Sequence, residues 1–243
     1  MESSKNTNWE PTCNRFVAFL DIMGFKDMVS RKEHSDIYKM LESISKVSEE
    51  ISKQPKFASN SVYITTFSDS IVIFSKDDTQ WSLQQFITAV TYMFANMMLR
   101  SIPVKGACAY GEISVNKKRA IFFGQPQIDA FLLQEDVNYY GIVCHNSYDK
   151  YLYESKDEIT RSYLNYRLKT KLKSGDIIHY NLDWFTPVKF IANDMSKSLS
   201  DDVVIEGIIG KLYFETSGSP RKYIDNTMDM YERYKEKMNG KEE

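Results

Sequence analysis

The sequence predicts an α+β sandwich in which helices pack on one face of a mostly antiparallel sheet. Three observations predict it. A short continuous apolar run near the start reads as a buried central strand. Two apolar runs separated by a polar three-residue tip read as a hairpin. Two long stretches with apolar residues at three- and four-residue intervals flank that hairpin as helices. The order strand, helix, two hairpin strands, helix, strand is a split β-α-β pattern.

The elements follow in order. Residues 1 to 13 are polar and read as a flexible leader with no apolar targeting core. Phe16-Val17-Ala18-Phe19-Leu20 is the first strand, and it runs into Asp21 and, almost at once, Gly24. From Lys26 to Lys53, Ile37, Met40, Leu41, Ile44, Val47 and Ile51 recur with helical spacing, and Gln54-Pro55 ends the pattern. Val62 to Phe67 and Ile71 to Phe74 are the hairpin strands around Ser68-Asp69-Ser70. Trp81 to Leu99 is the second amphipathic helix, and its Met93, Met97 and Met98 read as core or dimer packing. Pro103 to Ile113 is a strand with Gly106 and Gly111, Gln127 to Glu135 a helix opened by Gly124, and Gly141 to Cys144 a strand.

Beyond Asn146 the pattern weakens. Asp176 to Tyr180 and Trp184 to Ile191 read as strands, and Ser200 to Phe214 and Pro220 to Met238 as helices around a break at Ser217 to Pro220. The charge of the last helix argues against a core role for it. The expected organisation is a catalytic domain over 14–195 and a C-terminal helical arm over 196–243.

Composition narrows the function classes. The chain has 243 residues, 42% hydrophobic and 26% charged, as expected of a globular protein with a substantial core. A net charge of −2 gives no electrostatic footprint for nucleic acid. No apolar run approaches the roughly 20 residues that span a bilayer, so no direct membrane insertion is expected. Cys13, Cys108 and Cys144 are too scattered for a disulfide framework, and His34, His145 and His179 for a zinc site. A cytoplasmic protein with reduced thiols is expected. Lys117-Lys118-Arg119 reads as a solvated turn.

The candidate chemistry sits in two carboxylates. Asp21 ends the first strand and Asp69 sits on the hairpin tip, and these strands neighbour one another in a split β-α-β fold. Paired aspartates are hard oxygen donors suited to Mg²⁺ or Mn²⁺. Two such ions can clamp the attacking and leaving oxygens of a phosphoryl transfer. The backbone carbonyl of Ile22 is a further candidate ligand. Gly24 and Phe25 open the next helix, where backbone N–H groups can hold a phosphate. Each residue also has a plainer reading. Asp21 can cap a helix, Asp69 can close a turn, Lys105 can guard a strand edge, and Tyr63 can cover the sheet.

Asp21-Ile22-x-Gly24-Phe25, Asp69 on a hairpin, and Lys105-Gly106-x-x-x-x-Gly111-Glu112 resemble the catalytic core of class III nucleotide cyclases over residues 15 to 145. The resemblance implies a ferredoxin-like sandwich, two metal ions held by Asp21 and Asp69, and a head-to-tail homodimer with composite sites. Purine cyclases of that family carry a base-reading lysine four residues before the second aspartate, where this chain has Thr65. Their asparagine and arginine slots fall on Ile128 and Leu132 in Gly124 to Leu133. Gln127 or Asp129 replaces the asparagine only in a shifted register.

This altered pattern is similar to the pyrimidine cyclases of the bacterial Pycsar anti-phage system. That likeness implies UTP or CTP as substrate, cyclic UMP or cyclic CMP as product, and a diffusible signal acting on a separate effector. It also implies nucleotide contacts at Lys105 and at Tyr63 or Thr65. The alternatives are a purine cyclase and a catalytically degenerate nucleotide-binding dimer.

Overall fold

The computed structural model describes residues 9–53, 60–155, 163–195 and 201–240. Part of the expected leader, the Gln54-Pro55 break and the expected boundary before residue 196 lie outside the described residues. Among the described residues, the strands are β1 (Thr12–Ile22), β2 (Val62–Phe67), β3 (Ser70–Ser75), β4 (Val104–Asn116), β5 (Ile121–Phe123), β6 (Ile142–Cys144), β7 (Asn165–Leu172) and β8 (Gly175–Leu182). They form one sheet in the order β2-β3-β1-β4-β6-β8-β7, with β5 added to β4. Among the described residues, β4 and β6 are the one parallel pair. β1 starts at Thr12, inside the expected leader, because it pairs with β4 all the way to Ser114.

Alternation along β1 assigns its side chains to two faces. Phe16, Ala18, Leu20 and Ile22 point into the main core, all essentially inaccessible to solvent. There they meet Ile44, Val47 and Ile51 of α2 (His34–Lys53) and Leu83, Phe86, Val90 and Phe94 of α3 (Gln80–Leu99). Each large apolar side chain among them contributes about 1.5–3 kcal/mol on burial. Met93, Met97 and Met98 belong to this core. The single helix expected from Lys26 to Lys53 is two, because α1 (Phe25–Arg31) buries none of its residues and ends at extended Lys32.

The opposite face corrects the one-sided layering. Val17, Val72, Phe74, Ile113 and Val115 form a second, smaller cluster there, with Trp9, Phe19, Tyr63 and Phe122 packed on it. α4 (Gln125–Asp136) crosses the same face. Its path runs over Ala107, Ala109 and Gly111, residues small enough to let a helix lie close. A Cβ at Gly111 would stand 3.0 Å from Pro126 Cγ.

The C-terminal half departs most from expectation. α5 (Asn146–Glu154) and β7 are not anticipated. Trp184 to Ile191, expected as a strand, is mostly α6 (Phe185–Met195). Its start is fixed by Asp183, whose carboxylate accepts from Thr186 N–H at 3.0 Å, an N-cap arrangement. α7 (Asp201–Glu215) and α8 (Arg221–Met238) follow the expected helices. However, α8 buries Ile224, Thr227, Met230, Tyr231 and Tyr234, so the charged sequence conceals a packed face. Lys171 and Arg233 share Asp176 and Asp229, tying α8 to the β7–β8 hairpin. Among the described residues, no helix is long and apolar enough to cross a membrane.

Candidate active site

Asp21 lies opposite Ser70 on β3 and Lys105 on β4. Phe67 pairs with Ser70, leaving Ser68-Asp69 as a two-residue turn with Ser68 in the left-handed region at φ +56°. The Ile22 N–H donates to the Asp69 carbonyl at 3.0 Å, which binds the hairpin tip to the end of β1. The two residues are therefore neighbours, and the Asp69 carboxylate lies within electrostatic reach of Asp21. Burial pushes the Asp21 carboxyl up to about 6, and the neighbouring Asp69 adds to the rise. Lys105 opposes it, and Glu135 reinforces it.

That pair fits a hard divalent cation. The negative charge of Asp69 adds to the cost of ionising half-buried Asp21, and a cation bound beside them would offset that cost. Among the described residues, no group of three or more His, Cys, Asp or Glu side chains is arranged for a metal. An ion at this pair would draw its remaining ligands from backbone carbonyl, water and phosphate oxygens, the usual manner of Mg²⁺.

Lys105 is 3% exposed, unlike the solvated edge lysine that a strand start suggests. Its Nζ donates to the Glu135 carbonyl at 3.2 Å and, at a longer 3.5 Å, to that of Val137. The lysine thus caps the C-terminal end of α4, where free carbonyls and the helix dipole favour a cation. Burial lowers its pKa, with Lys173 adding to the effect. Glu135, Asp21 and Asp136 oppose the fall. Sequence reasoning missed Glu135. The signal was present: Glu135-Asp136 places two acids in the last turn of a helix, where the dipole disfavours them.

The other expected residues divide by position. Gly24 has φ +71°, and a Cβ placed there would meet nothing within 4 Å, so backbone conformation rather than crowding calls for glycine. It directly precedes α1, whose first N–H groups have no intrahelical partner, as at any helix start. Phe25 packs partly against the core. Thr65 pairs with Val72, which pairs with Phe19, two residues from Asp21 on the same face. Tyr63 belongs to the row of Phe74 and Val17. It therefore lies about 13 Å along the strands from Asp21, at about 3.3 Å per residue. Its ring packs among Trp9, Phe74 and Phe122. Lys117 Nζ sits 3.5 Å from the centre of the Trp9 ring, so this part of the basic turn is not simply solvated.

The face beyond the carboxylates is open and apolar. Phe67, Phe123, Ile128 and Leu132 are 85%, 64%, 51% and 59% exposed. A cleft of about 410 Å³ lies between α4 and β5, lined by Phe19, Phe122, Phe123, Gln127, Ile128 and Phe131.

No family model and no curated protein matches the sequence. Solved structures do resemble it. The monomeric guanylyl cyclase domain of the RhoGC fusion protein from the aquatic fungus Blastocladiella emersonii aligns with a TM-score of 0.51 at 12% identity, covering 72% of this chain and 98% of that one. The adenylyl cyclase CyaB from P. aeruginosa aligns at 0.48 and 14% identity, covering 70% and 94%. The catalytic core of a rhodopsin-guanylyl cyclase aligns at 0.49 and 13%, also covering 70% and 94%. At such identity, the match to the fungal domain speaks for architecture: the chain has the α+β fold of a nucleotide cyclase domain.

Proposed function

We propose that this protein is a nucleotide cyclase that converts UTP or CTP to the 3′,5′-cyclic monophosphate and pyrophosphate. The observation that carries this reading is that Asp21 and Asp69 are neighbours, the charge of Asp69 adding to the cost of ionising Asp21, at one end of a cyclase-type sheet. Two Mg²⁺ or Mn²⁺ ions bound there, with the Ile22 carbonyl as a further ligand, would promote loss of the 3′-hydroxyl proton and neutralise the leaving pyrophosphate. The reaction joins the 3′-oxygen to the α-phosphorus and breaks the bond to the β-phosphate oxygen.

The chain's own residues supply the frame. Asp21 and Asp69 hold charge at the reacting phosphate, and the first N–H groups after Gly24, beginning at Phe25, offer donors to the phosphate chain. Lys105 fixes the end of α4 beside Asp21 and offsets carboxylate charge. Thr65 supports a pyrimidine over a purine. It shares Asp21's face and presents a short hydroxyl where a purine cyclase would have a lysine. Tyr63, packed among rings, is the weaker base-side candidate of the two.

The open apolar face supports a homodimer in which α4 of each copy meets the other copy's site. Ile128 and Leu132 point the same way, since exposed apolar side chains on a helix call for a cover. The product would be a diffusible messenger for a separate effector in anti-phage defence. Ile128 and Leu132 also favour a second reading, a nucleotide-binding dimer without turnover, because both positions are polar in the purine cyclases that the sequence resembles. Incubation with each of four NTPs and Mn²⁺, followed by chromatography, separates these readings. A cyclic pyrimidine supports the proposal, a cyclic purine transfers the activity to the other base class, and binding without product leaves the sensor.

A further inference from the structure

The C-terminal helix reaches the two-aspartate site through a short series of contacts. The Gly106 N–H donates to the Gly141 carbonyl at 2.9 Å, so the segment before β6 runs beside β4 next to Lys105. The Tyr140 N–H donates to Thr227 Oγ1 of α8 at 2.8 Å, and that hydroxyl donates to the Tyr223 carbonyl at 2.6 Å. Asn226 Nδ2 donates to the Asn138 carbonyl at 2.6 Å. The Tyr223 ring stacks on Tyr140, centroids 6.2 Å apart and planes 18° from parallel. The same stretch of chain, from Glu135 to Val137, supplies both carbonyls that hold Lys105 opposite Asp21.

We propose that Tyr223 is a positioning residue of the two-aspartate site: stacked on Tyr140, it fixes the stretch from Glu135 to Tyr140 that holds Lys105 against Asp21. The inference rests on the cyclase reading and gives α8 a place in the active site. Burial and the charges of Glu135 and Asp21 push the Tyr223 phenol up, which agrees with its ring standing near the carboxylates. The contact is between rings, so the aromatic face matters and the hydroxyl does not.

The test uses the full chain, Mn²⁺ and the NTP that the wild type cyclises. Kinetics are paired with amide exchange on peptides spanning 104–108 and 136–143. Tyr223→Ala is expected to lower kcat about tenfold while KM stays within about threefold, since substrate binding groups are untouched. Exchange should quicken in both peptides. Tyr223→Phe keeps the ring and should stay within about twofold of wild type. Tyr223→Leu, which keeps apolar bulk without a ring, tests the same contact if the alanine variant folds poorly. Unchanged kcat and exchange in Tyr223→Ala overturn the proposal. So does a loss in Tyr223→Phe equal to that of alanine, which would shift the role to the hydroxyl. A wild type that makes no product from any NTP sinks the cyclase reading instead, and the exchange data alone then decide whether Tyr223 holds the segment.

Discussion

The two faces of the central sheet come from the same strands and have opposite characters. On one, Phe16, Ala18, Leu20 and Ile22 of β1 are sealed by α2 and α3. On the other, Val17, Phe19 and Asp21 look toward α4, which covers only part of the surface. The sealed face carries stability. The open face carries charge at one end, with Asp21 raised to about 6 near exposed Phe67, and the exposed ring of Phe123 at the other. The half-buried Asp21 charge costs the folded chain stability, and the proposed metal site would be a reason to keep it.

Substitutions on the two faces should separate these roles. Asp69→Ala is expected to reduce cyclase turnover at least about 10³-fold, because it removes half of the acidic donor set. Its melting temperature should stay within about 2 °C of wild type, since Asp69 lies on a turn. A variant that kept its turnover would break the contrast at its charged end. On the sealed face, Phe94→Ala removes a fully buried ring packed 5.2 Å from Trp184. It should cost about 3–5 kcal/mol in a urea titration, by transfer and cavity formation.

Asp21→Asn probes the cost built into the open face. Folding raises this carboxyl from its ordinary 3.8 to about 6, so the folded state holds the proton more tightly than the unfolded chain. Its contribution is full below the unfolded value and is lost as pH rises through about 6. A permanently neutral asparagine should therefore melt roughly 2–4 °C higher than wild type at pH 8 in a chelator. The gain should vanish below about pH 4. A lower melting temperature at pH 8 would mean that the carboxylate is stabilised in the fold. The smallest effect is expected at Phe123, 64% exposed: Phe123→Ala should change subunit stability by less than about 0.5 kcal/mol. It should weaken self-association in sedimentation experiments if this face joins two copies.

Legibility in the sequence follows the range of the interactions. β1, the β2–β3 hairpin and α3 declare themselves by local periodicity, and Asp21 and Asp69 by their places at a strand end and a turn. α6 reads as a strand because its apolar run resembles one, while the helix is started by the Asp183 cap. β7 escapes notice although Arg167 to Leu172 alternates outward and inward. Tyr223 has no local signal. It meets Tyr140 only because α8 packs back across the sheet's far edge, a contact between residues distant in sequence. Lys105 is expected near the nucleotide, but its burial under α4 depends on the small residues Ala107, Ala109 and Gly111 below that helix.

The central claim is that Asp21 and Asp69 together form a two-ion site for a nucleotide. Manganese binding, followed by the electron paramagnetic resonance signal of free Mn²⁺ in the presence of 3′-deoxy-UTP or 3′-deoxy-CTP, tests it most directly. Without a 3′-hydroxyl, neither analogue can cyclise. The account predicts two Mn²⁺ per chain for wild type and fewer for Asp69→Ala. Equal Mn²⁺ binding by the two proteins, or no nucleotide-dependent binding by wild type, would contradict it.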